Sequence, residues 1–125
     1  MEDIDKDCMT LLWAVYDNKI SKVNSLLDNG YDINCKRIWS ALMWASDKGH
    51  IEMIELLLNR GANIHDMNDK GETAMTCAVL QGNSKVIEIL ENWPVTMAIL
   101  VLQELVVYHL LDIISYNDLF EFIGE

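Results

Sequence analysis

The residues whose side chains could do chemistry are three histidines, three cysteines and two pairs of glutamates. They are His50, His65, His109, Cys8, Cys35, Cys77, Glu52/Glu55 and Glu88/Glu91. No two histidines stand three or four residues apart, the spacing that places two ligands on one helix face, and no Cys-x-x-Cys motif occurs. The sequence therefore predicts no metal site.

Nucleophile and phosphate-binding motifs are also missing from the sequence. It contains neither the G-x-x-x-x-G-K-[ST] phosphate loop nor the G-x-S-x-G nucleophile elbow. The glutamate pairs fall on the outer faces of predicted helices, where solvated charge explains them better than acid–base catalysis. Because no catalytic constellation is present, we predict a protein that is not an enzyme and needs no cofactor.

The overall charge limits the kinds of partner. Nine Lys and Arg against 20 Asp and Glu give a formal net charge of −11 in 125 residues, of which 51% are hydrophobic. This apolar content supports one folded domain. Nucleic acids and anionic membranes attract clustered cations, so we expect neither as a partner. The acidic excess favours a basic protein partner.

The cysteines and one apolar segment bear on the compartment. An odd number of cysteines without a secretory signal predicts reduced thiols in the cytoplasm, or alternatively the nucleus. Residues 97–114 are apolar enough to resemble a membrane span. Polar side chains interrupt this segment at Gln103, Glu104, His109 and Asp112. Each would be costly in lipid, so we expect a buried helix.

The middle of the chain repeats itself with a period of 33 residues. Residues 40–45 (SALMWA) align with residues 73–78 (TAMTCA), and a third copy begins with residues 10–15 (TLLWAV). Each copy predicts two short helices, because apolar residues recur at helical spacing on both sides of a break. Thr10, Ser40 and Thr73 are expected to cap the first helices, and Gly30 and Gly61 to end the second helices in a left-handed conformation.

This pattern resembles the ankyrin repeat. Residues 68–78 (NDKGETAMTCA), Gly49-His50 and residues 57–64 (LLNRGANI) match its D-x-x-G-x-T-P-L-H-x-A start, its G-H turn and its L-L-x-x-G-A ending. The resemblance implies an all-α solenoid of about three helix pairs. The implied segments are residues 1–93 as repeats (about 7–34, 35–65 and 66–93) and 94–125 as a C-terminal helical capping segment.

The repeats depart from the ankyrin pattern in two ways. The motif proline is replaced in the three copies by Leu11, Ala41 and Ala74. The motif histidine is replaced by Trp13, Met43 and Thr76. The stretch from Gly30 to Ser40 is also two residues shorter than its counterpart from Gly61 to Thr73, so a tight or irregular loop is expected there.

The tail after Pro94 is predicted to form a helix over residues 95–111 and a short helix over residues 117–123, begun by Ser115. One face of the first helix, which we call the tail stripe, suits packing on repeat 3; it comprises Ile99, Leu102, Val106, Leu110 and Ile113. A second apolar face comprises Leu100, Val107 and Leu111. Either the short helix covers that face, through Leu119, Phe120, Phe122 and Ile123, or another molecule does. The tail is similar to those of short ankyrin proteins of large DNA viruses, and faintly to an F-box helix.

The ankyrin resemblance implies a protein–protein interaction module that binds through hairpin tips and inner helices, and a virus-encoded, host-directed adaptor in the host cytoplasm if the viral likeness holds. The implied contact residues are Met9, Asp17, Lys36, Arg37, Trp39, Asp47, Asp69, Lys70, Glu72 and Leu80. The alternative is a structural or self-associating protein that dimerises through its apolar C-terminal helices, although a monomer is expected. Trp39 is either a binding hot spot or a filler of the shortened loop. Trp44 shares its column with Ala14 and Cys77, so it is expected in the core.

Overall fold

The computed structural model describes the backbone of residues 2–124 and the side chains of residues 7–113. Its helices are α1 (Glu2–Tyr16), α2 (Ile20–Asp28), α3 (Ala41–Lys48), α4 (Ile51–Asn59), α5 (Ala74–Gln81) and α6 (Ser84–Gly124). No strand occurs within residues 2–124, where Lys36 and Ser40 form one isolated antiparallel bridge. The all-α prediction is therefore confirmed.

Helix pairs stack side by side in the repeat segment. Helix α3 packs against α1, α4 and α5, while α2 packs against α1 and α4. Leucine, isoleucine, methionine and alanine side chains fill the spaces between them. The largest buried aliphatic and methionine side chains are Leu11, Val15, Val23, Leu42, Met43, Met53, Ile54, Leu57 and Val86. Burying such side chains removes apolar surface from water, which contributes about 1.5–3 kcal/mol for each large one.

Short-range hydrogen bonds fix where α3 and α5, the first helices of the second and third repeats, begin. The Ser40 hydroxyl accepts from the Met43 amide at 3.3 Å, as predicted for a cap. Thr73 accepts from the Thr76 amide at 3.4 Å, and the Thr76 hydroxyl accepts in return from the Thr73 amide at 3.1 Å. This reciprocal pair shows that Thr76, in the histidine column, still ties down the start of α5.

The predicted start of the first helix at Thr10 is wrong, because α1 begins at Glu2. Residues 2–5 (EDID) include three acidic residues, whose charges favour a helix N-terminus. Thr10 consequently lies inside the helix. The predicted left-handed residues at the ends of the second helices are confirmed, with φ of 91° at Gly30 and 92° at Gly61.

The loops between repeats are joined to each other by polar contacts. Lys36 Nζ donates to Asp66 Oδ1 at 2.8 Å and to the Met67 carbonyl at 2.6 Å. The Asn63 amide donates to Asn34 Oδ1 at 2.8 Å. The bridge between Lys36 and Ser40 makes the shortened first loop tight, as expected.

The chain divides into two units, residues 1–90 and 91–125, with the boundary inside α6. Helix α6 continues through Pro94 and Ser115 to Gly124, so the prediction of two separate tail helices is wrong. Between Val95 and Leu111 only a few residues are polar and none is glycine, which allows an uninterrupted helix. The side chains of Leu119, Phe120, Phe122 and Ile123 lie outside the described side chains.

The apolar part of α6 is exposed, which also makes the expectation of a buried helix wrong. Side chains of residues 94–113 are all exposed, with Val107 at 54%. No second helix returns over them, because the backbone stays helical to Gly124. By length and composition alone, residues Ser84–Ile113 could cross a membrane, with a mean hydropathy of 1.7 over 18 residues. The role of residues 94–125 as a cap stays a prediction.

We predict that Leu57→Ala lowers the free energy of unfolding by about 2–5 kcal/mol, because it leaves a cavity between stacked helices. Leu57 is fully buried in α4, which packs against α3 of its own pair and against α2 of the preceding pair. Urea unfolding followed by circular dichroism measures the loss. Glu55→Ala, at an exposed position of the same helix, is the matched control and should change stability by less than about 0.5 kcal/mol. Equal effects of the two substitutions would contradict the packing described here.

Candidate functional site

An open groove lies between α1, the loop before α3, and α3 itself. We call it the aromatic groove; its lining residues are Met9, Leu12, Trp13, Tyr16, Arg37, Ile38, Trp39, Trp44 and Lys48. Its volume is about 680 Å³, within the range of sites that hold ligands or peptide side chains. Three of the four tryptophans in the chain line it.

The rings of the groove form a continuous chain of contacts. Trp13 and Tyr16 meet edge to face with centroids 5.6 Å apart, and Tyr16 meets Trp44 in the same way at 5.5 Å. Trp39 leans on Trp44 at 4.6 Å with an interplanar angle of 55°. Such contacts restrict the rings, so a partner would meet a surface that is already ordered.

Local structure places these rings. Trp13 and Tyr16 are three residues apart on α1, so they lie on one face of that helix. Trp39 directly precedes Ser40, whose capping bond fixes the start of α3 and with it the direction of the loop. His50 Nε2 lies 3.1 Å from the Tyr16 carbonyl oxygen, which ties the end of α1 to the turn after α3.

Lys48 and Arg37 accompany the rings, and among residues 7–113 no carboxylate belongs to the groove lining. Arg37 already has an interaction inside the protein. The Lys48 ammonium lies over the Tyr16 ring, 4.5 Å from its centroid, in a cation–π contact. Lys48 makes no ion pair with any residue between 7 and 113. The described lining is therefore apolar in its walls and carries the Lys48 cation at its rim.

Three of the predicted contact residues, Met9, Arg37 and Trp39, line this groove. Three others already have polar contacts inside the fold. Lys36 bonds the loop at Asp66, Asp47 accepts from Gln81 Nε2 at 2.9 Å, and Glu72 accepts from Asn68 Nδ2 at 2.9 Å. The remaining four are exposed outside the groove lining: Asp17, Asp69, Lys70 and Leu80.

The two tryptophans discussed from the sequence lie together. Trp39 is half-buried against Trp44, so it both packs into the shortened loop and lines the groove. The expectation that Trp44 lies in the core is wrong, because Trp44 is only partly buried whereas Ala14 and Cys77 are buried. An indole is far larger than the two side chains that share its column, so it extends into the groove.

Sequence reasoning missed six lining residues: Leu12, Trp13, Tyr16, Ile38, Trp44 and Lys48. A signal for two of them was present. Trp13 occupies the histidine column, and Tyr16 follows it at the spacing that joins side chains on a helix face. Large aromatics at both positions, together with Trp39 and Trp44, exceed what a thin core between short helices can bury.

Comparisons with known proteins place the repeat segment in a family. The family model described as ankyrin repeats (3 copies) matches residues 11–94. A sheep (Ovis aries) protein, "Ankyrin repeat, SAM and basic leucine zipper domain-containing protein 1", is 33% identical over 81 residues, covering 62% of this chain and 17% of that protein.

Two further relatives show the same partial coverage. Human (Homo sapiens) "Ankyrin repeat and KH domain-containing protein 1" is 48% identical over 52 residues, covering 38% of this chain and 2% of that protein. "Palmitoyltransferase AKR1" of Debaryomyces hansenii is 32% identical over 74 residues, covering 58% of this chain and 9% of that protein. This chain thus spans less than a fifth of the length of each of these relatives.

The thiols are the remaining reactive groups near the repeats. Cys8 and Cys77 are buried, and Cys35 Sγ donates to the Cys8 carbonyl oxygen at 3.9 Å. Burial raises the pKa of the Cys77 thiol from 9.0 to about 11, helped by the nearby charges of Asp47 and Glu72. Burial likewise raises the pKa of Cys35. Since the thiolate is the nucleophile, both groups are poor nucleophiles at neutral pH.

We predict that iodoacetamide labels Cys77 far more slowly in the folded protein than in urea. At pH 7.5 a pKa of about 11 leaves roughly a hundredfold less thiolate than the ordinary value of 9.0, and burial slows access further. Mass spectrometry of the labelled peptides measures both rates. Labelling of Cys77 at the unfolded rate in native buffer would show that this side chain is not held in the core.

Proposed function

Because this chain belongs to the ankyrin-repeat family, we propose that it is a non-enzymatic interaction module whose aromatic groove holds a segment of another protein. The observation that carries the proposal is the set of ordered rings left open to water. Trp13 is 56% exposed and Ile38 is 77% exposed on the two sides of the groove. Trp, Tyr and Arg, all present here, are the residues most enriched at binding hot spots.

Energetics favour a partner at this place. Apolar surface left in water forgoes about 25 cal/mol for every Å² that a partner could cover. Contiguous exposed apolar surface on a folded domain marks interaction sites, whereas single exposed residues do not. Here aromatic and aliphatic side chains from α1, the loop before α3, and α3 converge, so their exposure is not that of scattered surface residues.

The setting of this interaction is part of the proposal. We assign the module to the cytoplasm or nucleus, on the basis of its unpaired cysteines. A host-directed adaptor role is supported only by the likeness of the tail to the tails of short viral ankyrin proteins. The names of the relatives describe larger proteins in which ankyrin repeats are joined to other domains, which fits a binding role for the repeats themselves.

Self-association through the tail is a second candidate function, and the exposure of the tail stripe favours it. Ile99, Leu102 and Val106 are all exposed. Glu104 lies about half a helical turn from the centre of this stripe, by the 3.6-residue period. Pairing of two tails along the stripe would leave Glu104 in water, whereas a bilayer would bury it near the middle of the apolar segment at a cost of about 3 kcal/mol.

For the groove, we predict that Trp13→Ala and Ile38→Asp each weaken binding of a protein partner at least about tenfold, because each removes apolar contact worth more than about 1.4 kcal/mol. Partners are captured from cell lysate with the wild-type chain, and each is then purified and titrated by calorimetry. Val79→Asp, an equally drastic change at an exposed position of α5 outside the groove, is the matched control. A partner that binds all three variants as tightly as wild type does not use the groove.

For the tail, we predict that Val106→Glu dissociates any oligomer of the full chain, since it places a charge in the tail stripe. Tyr108→Glu is the control, because Tyr108 is exposed and lies about 160° around the helix from Val106, outside the stripe. Sedimentation equilibrium gives the mass of each variant. A monomeric wild type up to about 100 μM would exclude the second candidate function.

A further inference from the structure

We infer that the segment bound in the aromatic groove is acidic as well as apolar: it inserts a large apolar side chain against Trp13 and Trp39 and places an Asp or Glu carboxylate at Lys48. This inference rests on the proposed function and names the chemistry of its partner. It differs from the basic partner that the net charge of −11 favours.

Lys48 in α3 and Lys36 in the loop before α3 differ in whether a carboxylate compensates their charge. The charge of Lys36 is compensated by Asp66 Oδ1 at 2.8 Å, and its ammonium also donates to the Met67 carbonyl. Lys48, in contrast, has a ring and no carboxylate against it among residues 7–113. No carboxylate of residues 7–113 compensates the charge of Lys48. A carboxylate of the partner would therefore pair with a cation that these residues leave without an anion.

The contact with Tyr16 makes Lys48 a better recognition group than a mobile surface lysine. Isolated surface ion pairs are weak, in part because two long side chains lose freedom when they pair. Here the ring face already restrains the ammonium at 4.5 Å, and Tyr16 is itself held by Trp13 and Trp44. A partner that covers the rings also excludes water from the ion pair, which strengthens the attraction.

Salt screens charges that lie far from the groove, and this decides whether the nearby charge or the net charge of the chain governs binding there. At physiological salt the Debye length is about 8 Å, so acidic groups elsewhere on the chain are largely screened at the groove. Lys48 lines the groove without an ion pair to residues 7–113, whereas Arg37, which also lines it, already has an interaction inside the protein. No carboxylate of residues 7–113 belongs to the lining. The overall negative charge therefore acts on the rate of encounter, and the Lys48 ammonium selects what is bound.

Three synthetic peptides of equal length test this selection against the full chain. One carries a leucine and a phenylalanine between glutamates, the second has lysines in place of the glutamates, and the third keeps the glutamates but has alanines at both apolar positions. Binding is followed by calorimetry at physiological salt. We expect the first peptide to bind at least about tenfold more tightly than either of the others.

Variants assign the effect to the inferred residues. Lys48→Glu should reverse the preference between the glutamate and lysine peptides, and Lys48→Met should abolish it while retaining the apolar contacts. Lys22→Glu makes the same charge change at an exposed position of α2 outside the groove and should leave the preference unchanged. Circular dichroism of each variant checks that the fold is retained.

The outcomes separate this inference from the proposed function. If the lysine peptide binds as tightly as the glutamate peptide, and Trp13→Ala weakens both, the inference is overturned while the groove keeps its proposed role. If the preference for the glutamate peptide survives Lys48→Glu, the inference is likewise overturned, because a group other than Lys48 then recognises the charge of the peptide. If no peptide binds at up to about 1 mM, both the inference and the proposed role of the groove are overturned.

Discussion

The burial of α3 between α1 and α5 is the packing interaction on which the rest of the repeat segment depends. Ala41, Leu42, Met43 and Ala45 are buried along this short helix. An array of helix pairs has no central core, so each pair is stable only if its neighbours cover its apolar faces. The eight residues of α3 are too few for a stable isolated helix, and their conformation is maintained by these contacts.

The aromatic groove is a consequence of the same packing. One end of α3 carries the Ser40 cap, which sets the position of Trp39, and its outer face carries Trp44 and Lys48. Helix α1 supplies Trp13 and Tyr16 from the opposite side. The groove can be kept ordered without a ligand because its rings contact each other in sequence, and this order reduces the entropy that a partner would lose on binding.

Local motifs were enough to predict the helix pairs but not how side chains meet across them. Ser40, Thr73, Gly30 and Gly61 act through bonds and dihedral angles within a few residues, so their roles could be predicted from spacing. The position of the Trp44 side chain could not be predicted in this way, because its column holds small buried residues in the other repeats. Only its contacts with the neighbouring rings determine where the indole lies. The ten contact residues carried over from the ankyrin pattern include Lys36, whose contacts with the next loop involve residues thirty positions away.

The tail shows a different limit of sequence reasoning. Pro94 and Ser115 are local signals for a helix start, yet α6 continues through both because apolar helix formers on either side outweigh them. The exposure of the tail stripe is the observation on which the proposed self-association rests.

The central claim, that the aromatic groove is the surface that holds a partner, is tested most directly by the four indole N–H signals of the full chain. Tryptophan side-chain resonances of ¹⁵N-labelled protein are followed by NMR while an unlabelled binding partner or the glutamate peptide is added. The account predicts that the signals of Trp13, Trp39 and Trp44 shift together and that the signal of Trp93, which is not part of the groove lining, does not. Binding that shifts Trp93 alone, or that leaves all four signals unchanged, would contradict it.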